Sequence, residues 1–247
     1  MQRPVRAAVH SLGAALCALG LLLAAALPAM PQAGPAPSPE TVRQLLLAVL
    51  LEHFDPASVF DISPEGVGLS GGILSIEDLL IVAKPGVVRG VQGEGLLKVT
   101  GLYLDMAALA SRQVKIARFG QATLTAATTA RDLALGLTRI SPDIQNPVVR
   151  LEAGQFEFQA MLKRGDRVSP VQMRGTLVVE GGQRVSIAII QAQVEGGDVP
   201  LELVRRELDR FNPILDLSRW PLNLHIQRLI LHNDRLEVLA TGGTPRP

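Results

Sequence analysis

Aromatic side chains make up only 3% of this sequence, with one tryptophan and one tyrosine, and 24 Lys and Arg set against 23 Asp and Glu leave a formal net charge of +1. Nucleic-acid binding draws on a basic field and a stacking surface, and this chain offers neither. Cysteine is as scarce. Cys17 is the only one, and Ala14-Ala15-Leu16 puts no small residue directly before it, which argues against a lipid attachment there. If the amino-terminal segment is removed on export, the mature chain has no cysteine, so a disulfide framework and a thiolate metal site are both excluded. Apolar residues are abundant: 47% hydrophobic with 19% charged describes a chain that buries a core rather than a disordered one.

The first segment differs from the rest. Arg3 and Arg6 precede an almost unbroken apolar run from Leu12 to Leu27, closed by small residues and prolines, which is the layout of a secretory signal over residues 1–33. Ala24-Ala25-Ala26 fits the small-x-small cleavage rule, and Ala29 and Ala33 are further candidate ends. An uncleaved anchor is the alternative, because the run falls just under the roughly 18 apolar residues of a membrane span. The expected location is the periplasm or the outer face of the cytoplasmic membrane. Residues 34–38 complete a Pro/Ala-rich linker, 39–241 form a single domain, and 242–247 read as a loose tail.

Ser38-Pro39-Glu40 supplies a cap, a first-turn proline and an acid at the positive helix end, so a helix is expected from Pro39 to about Phe54. Its apolar positions Val42, Leu45, Leu46, Val49, Leu50 and Phe54 recur at three- and four-residue spacing and form a wide stripe. After Asp55-Pro56 the pattern becomes alternating, with strands through Met106 and a phase change at Gly101 that predicts a bulge or bend. Thr129 and Asp132 open a second helix to Ile140, stopped by Ser141-Pro142. Alternating strands follow, through Val149, Leu151, Phe156, Phe158, Ala160 and Leu162, then Val171, Met173, Leu177 and Val179. Gly181-Gly182 turns the chain, and Val185, Ile187 and Ile189 pair back. A third helix runs from about Pro200 to Phe211, ended by Asn212-Pro213, and two more strands lie at Leu222–Leu231 and Leu236–Ala240. Alternation with no repeated strand-helix-strand unit indicates an α+β domain, an antiparallel sheet covered on one face by a few helices.

Few residues carry a chemical signature. Gly66-Val67-Gly68-Leu69-Ser70-Gly71 fits the dinucleotide fingerprint and Gly68-Leu69-Ser70-Gly71-Gly72 the nucleophile elbow, but both need a helix after the loop. Here a β-like run, Ile73-Leu74-Ser75-Ile76, follows, which favours a hairpin or bulge. Ser70, Asp198 or Asp216, and His225 stand in the serine, acid, histidine order of some esterases. Yet His225 alternates between Leu224 and Ile226 and reads more simply as an outward strand residue. His53 and His232 lie at a helix end and a turn, with no metal-ligand spacing, and nothing in the sequence calls for a metal or a cofactor.

The carboxy-terminal half carries a more particular pattern. A threonine-capped helix, Thr129 to Ile140, leads to Ser141-Pro142 and the strands Val148 to Leu162. Later, Gly196-Gly197-Asp198-Val199-Pro200 opens a helix, and Phe211-Asn212-Pro213-Ile214-Leu215-Asp216-Leu217 leads to Trp220-Pro221-Leu222-Asn223-Leu224. This resembles the LmeA-like phospholipid-binding family of exported bacterial envelope proteins, best over Val99 to Gly242 and weakly over Asp55 to Gly95. The resemblance implies a strongly curved antiparallel sheet wrapped around a long amphipathic helix, tubular in the manner of lipid-binding folds, with two shorter helices and acyl chains held between helix and sheet. It carries no catalytic motif.

The residues agree with that implication in a general way. Burying a methylene is worth about 0.8 kcal/mol, so a long acyl chain offers on the order of 10 kcal/mol gross without polar chemistry. The candidate lipid contacts are Leu46, Leu50, Phe54, Val204, Leu208, Phe211, Leu215 and Trp220. Each competes with an ordinary role in the core, and Trp220, in a Pro-bounded connection, is the most distinctive. The expectation is therefore a non-enzymatic envelope protein whose partner is phospholipid or another acyl lipid, with a membrane surface as a further partner and no nucleic acid. Arg205, Arg206 and Arg210 on the third helix are candidates to approach anionic headgroups, against the simpler role of a solvated helix face. The rival functions are a structural or interaction domain with a fully packed core, and a serine esterase built on Ser70 and His225.

Overall fold

Helix α1 (Pro39–His53) begins where the sequence caps it. The Ser38 hydroxyl accepts the Thr41 N–H at 3.2 Å, and Glu40 in the first turn pairs with Arg43 at 2.9 Å. It stops at Phe54, whose backbone is already extended ahead of Asp55-Pro56. The computed structural model describes residues 36–243 apart from 89, 153 and 209–211; the expected export segment 1–33 and the candidate Phe211 lie outside these. Among the described residues no helix is long and apolar enough to cross a membrane.

After α1 come β1 (Phe60–Glu65), β2 (Gly68–Ser70), β3 (Ile73–Val88), β4 (Val91–Asp105), α2 (Met106–Ala110), β5 (Ile116–Arg118) and β6 (Gln121–Thr129). The chain continues through α3 (Ala130–Ile140), β7 (Ile144–Glu152), β8 (Gln155–Arg164), β9 (Arg167–Glu180), β10 (Arg184–Val194), β11 (Gly197–Asp198), α4 (Leu201–Leu208) and β12 (Leu215–Asp216). A hairpin of β13 (His225–His232) and β14 (Arg235–Gly243) ends it, reaching into the stretch 242–247 expected to be a tail. All pairings are antiparallel. The first sheet has the order β1-β3-β4-β6-β14-β13, with β2 beside β3 and β5 beside β4, and the second runs β11-β10-β9-β8-β7 with β12 on β10. Everything from α3 to β12 is thus an excursion between β6 and the hairpin that completes the first sheet.

Residues 99–104 show how the alternation is handled. Val99 is buried, Leu102 and Leu104 are buried in the opposite phase, and Gly101 between them takes φ +59, a value that an L side chain adopts only with strain.

The expected curved sheet around a long helix is not what forms. The described residues are mostly antiparallel sheet with four short helices, and the sheets are not strongly curled. Length explains this. α1 has 15 residues, about 22 Å, whereas β3 has 16, about 50 Å, so the helix covers less than half of the strands beside it. It packs near β1 and α2. The remainder of that face is closed by the chain between β12 and β13, whose Leu217, Leu222 and Leu224 join Val42, Leu46 and Val49 of α1 in one buried cluster with Ile76, Val99, Leu104 and Leu124. A second cluster joins Phe156, Phe158 and Ile189 of the second sheet to Leu231 and Leu236 of the β13–β14 hairpin.

The two sheets are knit at Asp234, in the β13–β14 turn at φ +57. Its carboxylate accepts the Leu151 N–H at 3.1 Å, its own N–H donates to the Leu151 carbonyl at 3.1 Å, and its carbonyl accepts the Ala130 N–H at 2.7 Å, at the start of α3. At the other end of β13 the β9–β10 turn docks. The Ile226 N–H donates to the Gly182 carbonyl at 2.6 Å, and the Gln183 amide donates to the Leu224 carbonyl at 3.2 Å.

Asp234→Ala removes the acceptor of a part-buried N–H and places an alanine in the left-handed region. The expected loss is about 1–3 kcal/mol of unfolding free energy in urea denaturation, whereas Asp234→Asn, which keeps an acceptor and tolerates that conformation, loses less.

Candidate functional site

The second sheet has two unlike faces. One is polar: Glu157, Gln159, Gln172, Arg174, Gln191 and Gln193 line a shallow depression of about 70 Å³, with Arg174 paired to Glu157 at 2.6 Å. The other is apolar, because the apolar positions of β7 to β10 fall into shared rows, with irregularities between Ile189 and Gln191 and between Gln145 and Val148 adjusting the phase. One row is Leu151, Phe156, Gly175 and Ile189; the next is Val149, Phe158, Met173 and Ala192; beyond it lie Ala160, Val171 and Val194, then Ile144 and Leu162.

Two amphipathic helices partly cover this apolar face. Thr129 caps α3, its hydroxyl accepting the Asp132 N–H at 3.1 Å, and Ala130, Leu133 and Leu137 pack into the second cluster. Gly136 is buried on α3, and a Cβ there would strike Val91, so a glycine lets this helix lie close over β4 of the first sheet. α4 brings Leu201 and Val204 to the same cluster and leaves Arg205 and Arg206 exposed. α3 packs mainly on β7, and α4 mainly on β10. The middle strands β8 and β9 are therefore the floor between two separated helices.

Exposure along that floor is graded. Leu151, Phe156 and Ile189, nearest the Asp234 junction, are dry, and the Phe156 ring lies over the bare backbone of Gly175. Farther out, Phe158, Ala160 and Ala192 are still buried, but Val149, Met173, Val171, Val194, Ile144 and Leu162 around them are partly exposed although all face the helices. A polar cluster stands at this open end. Arg167 grips Glu195 with two nitrogens, the shortest contact being 2.7 Å, and the Ser169 hydroxyl donates to Glu195 at 2.7 Å. The Ser169 hydrogen bond, then Arg167, holds the Glu195 carboxyl below its usual range.

The candidate lipid contacts do not converge. Leu46 is core under α1, Leu50, Leu215 and Trp220 are partly buried against the same first cluster, and Phe54 is half-buried, edge-on to Phe60 with ring centres 5.0 Å apart. Leu215 is on β12 of the second sheet but packs against the first cluster, so Val204 alone of the described side chains in that set joins the second cluster; Leu208 is in α4 but its side chain, like Phe211, is outside the described residues. The part-exposed floor residues had shown only their alternation, which reads the same whether a face is later covered or left open.

The glycine-rich loop is a hairpin. Ser70 pairs with Ile73 across Gly71 and Gly72, both at positive φ as a type I′ turn requires, and a strand follows where a phosphate site or nucleophile elbow would need a helix. Ser70 and His225 are not brought together: the strand order and register separate them by on the order of 30 Å along a flat sheet. Asp216 is engaged by Ser218, whose hydroxyl and backbone N–H keep its carboxyl below the usual range. No three His, Cys, Asp or Glu side chains among the described residues are grouped to hold a metal ion. Comparison with protein-family models, with curated proteins and with solved structures finds no match.

Because the folded Glu195 carboxyl is lowered from 4.5, its contribution to stability is present above that value and disappears as pH falls through the folded value. In a carbon-detected NMR titration Glu195 is expected to titrate below 4.5, and Ser169→Ala to move its midpoint back up towards it.

Proposed function

We propose that this protein is a non-enzymatic envelope protein that holds the acyl chains of a lipid against the apolar face of its second sheet, between α3 and α4. The main support is the patch itself: Val149, Met173, Val171, Val194, Ile144 and Leu162 stay partly exposed around the buried Phe158, Ala160 and Ala192, on the helix-facing side of a sheet whose other side is polar at its middle. Contiguous apolar surface of this kind in a soluble fold marks a binding face, and a linear hydrocarbon suits it because the floor is a strip bounded by two helices. Binding of this sort needs no polar motif, which agrees with the sparse chemistry of the chain. The Arg3 and Arg6 flank and the apolar run to Leu27 support export to the periplasm or the outer face of the cytoplasmic membrane. The resemblance of Val199 to Leu224 to LmeA-like proteins points the same way.

This site differs from a cleft under the long helix of a curved sheet. Here α1 and its surroundings form a closed core, and the ligand belongs to the second sheet.

Native mass spectrometry with lipid extraction, on mature protein purified from its expression host, is expected to show phospholipid at near-stoichiometric occupancy. Met173→Trp fills the floor. By displacing about two methylenes, at about 0.8 kcal/mol each, it should weaken binding about tenfold while the circular dichroism spectrum stays unchanged. A clean apo mass after incubation with phospholipid vesicles would favour a packed interaction domain instead.

A further inference from the structure

A second hollow lies on the first sheet, on the face away from α1, with mostly apolar walls that carry a few polar groups. It is open, has a volume of about 350 Å³, and is lined by Ser70, Ile73, Ser75, Tyr103, Ala117 and Arg118. Register assembles it. Ser75 pairs with Tyr103, Tyr103 with Arg118, and Ser70 with Ile73, so the short strands β2 and β5 and the adjoining ends of the long strands β3 and β4 bring these residues to one corner of the sheet. Leu74, Ile76, Leu102 and Leu104, which alternate with them, are buried on the opposite face and anchor the corner.

The side chains at this corner are prepared but unused. The Arg118 guanidinium stacks 3.8 Å from the centre of the Tyr103 ring, which occupies its face and leaves its N–H edge to donate. Among the described residues Arg118 has no carboxylate partner. Glu77 leans over Gly66, and Asp105 is engaged by the backbone N–H groups of Ala107 and Ala108 and by Lys115 at 3.5 Å. The hydroxyls of Ser70, Ser75 and Tyr103 likewise make no hydrogen bond to the described protein.

We infer that this hollow is a binding site for the oxyanion of a phosphate ester. An uncompensated guanidinium held in one plane by an aromatic ring matches two oxygens of a phosphate, and three hydroxyl donors around it suit the remaining oxygens better than the two of a carboxylate. A neutral sugar would not need the positive charge. The phosphate is carried either by a lipid headgroup or by a free phosphorylated metabolite, and the same contacts serve both. This inference does not depend on the acyl-chain site, which is on the other sheet and shares no residue with it.

The test uses the full mature protein with inorganic phosphate and glycerol 3-phosphate, followed by phosphorus and amide NMR, and with phosphatidylcholine vesicles that contain or lack phosphatidic acid. Saturable amide shifts at Ser70, Ser75, Tyr103 and Arg118 are expected with glycerol 3-phosphate. Arg118→Gln, which keeps a polar amide on a shorter stem and removes the charge, should weaken binding about tenfold or more, since a charge-assisted hydrogen bond is worth roughly 1.5–3 kcal/mol. Arg118→Lys, which keeps the charge without the fork, should fall between them, and Tyr103→Phe should lose less. Binding to the soluble esters identifies a free phosphorylated ligand; binding only to phosphatidic acid vesicles identifies a headgroup. Equal binding by wild type and Arg118→Gln, equal shifts with unphosphorylated glycerol, or no saturable binding to any probe would overturn the inference. Met173→Trp should leave it unchanged, which separates its failure from that of the acyl-chain reading.

Discussion

The carboxy-terminal hairpin holds both sheets, and Asp234 at its tip is where they meet. β14 pairs with β6 along its whole length, from Arg235 opposite Thr129 to Gly243 opposite Gln121, so the first sheet is complete only when the end of the chain has returned to its middle. That return closes a long loop, and loop closure must be offset by contacts made at the end of it. The hairpin supplies them on both sides: Ala240 is buried in the first cluster, and Leu231 and Leu236 in the second. Asp234 then satisfies the backbone of Leu151 and of Ala130, tying β7 and the first residue of α3 to a turn that belongs to the other sheet. Removing that clasp would leave buried polar groups without partners rather than merely loosen a surface contact.

From this junction outward the two sheets diverge in how they are covered. The first is sealed by α1 and by the chain from Leu215 to Leu224, and the result is a dry interior with Leu74, Leu104, Leu217 and Leu224 almost wholly inaccessible. The second has only α3 and α4, each short, each resting near an edge. Its floor is dry where the hairpin reaches it and increasingly open beyond. The same apolar alternation therefore builds a core in one place and an exposed strip in another, the difference lying in how much helix is available above it. Polar chemistry is placed away from both interiors, in the Arg167, Ser169 and Glu195 cluster at the open end and in the Arg118 hollow on the outer face of the first sheet.

Much of this is legible in the sequence where the determinants are local. Ser38 and Thr129 announce the starts of α1 and α3 because a capping hydroxyl serves N–H groups two or three residues away. Gly101 marks a phase change because only a nearby backbone irregularity moves alternation from one face to the other. Gly71-Gly72 and Gly181-Gly182 turn the chain for the same short-range reason. α2 is not legible in the same way, since Asp105 before a five-residue run gives too short a period to distinguish from the end of a strand.

The sequence by itself therefore determined the strands, the helix caps, the turns and the preponderance of antiparallel pairing, each a matter of residues within a few positions of one another. Only the tertiary structure decided that there are two sheets rather than one curved sheet around a helix, because which strand becomes the neighbour of β6 depends on a hairpin more than a hundred residues later in the chain. It also decided which apolar face would be covered. Leu46 and Met173 both read as apolar members of a periodic pattern; one is buried between its helix, the first sheet and a closing loop, and the other stays partly exposed on a strand between those that α3 and α4 mainly cover, and no local pattern carries that difference.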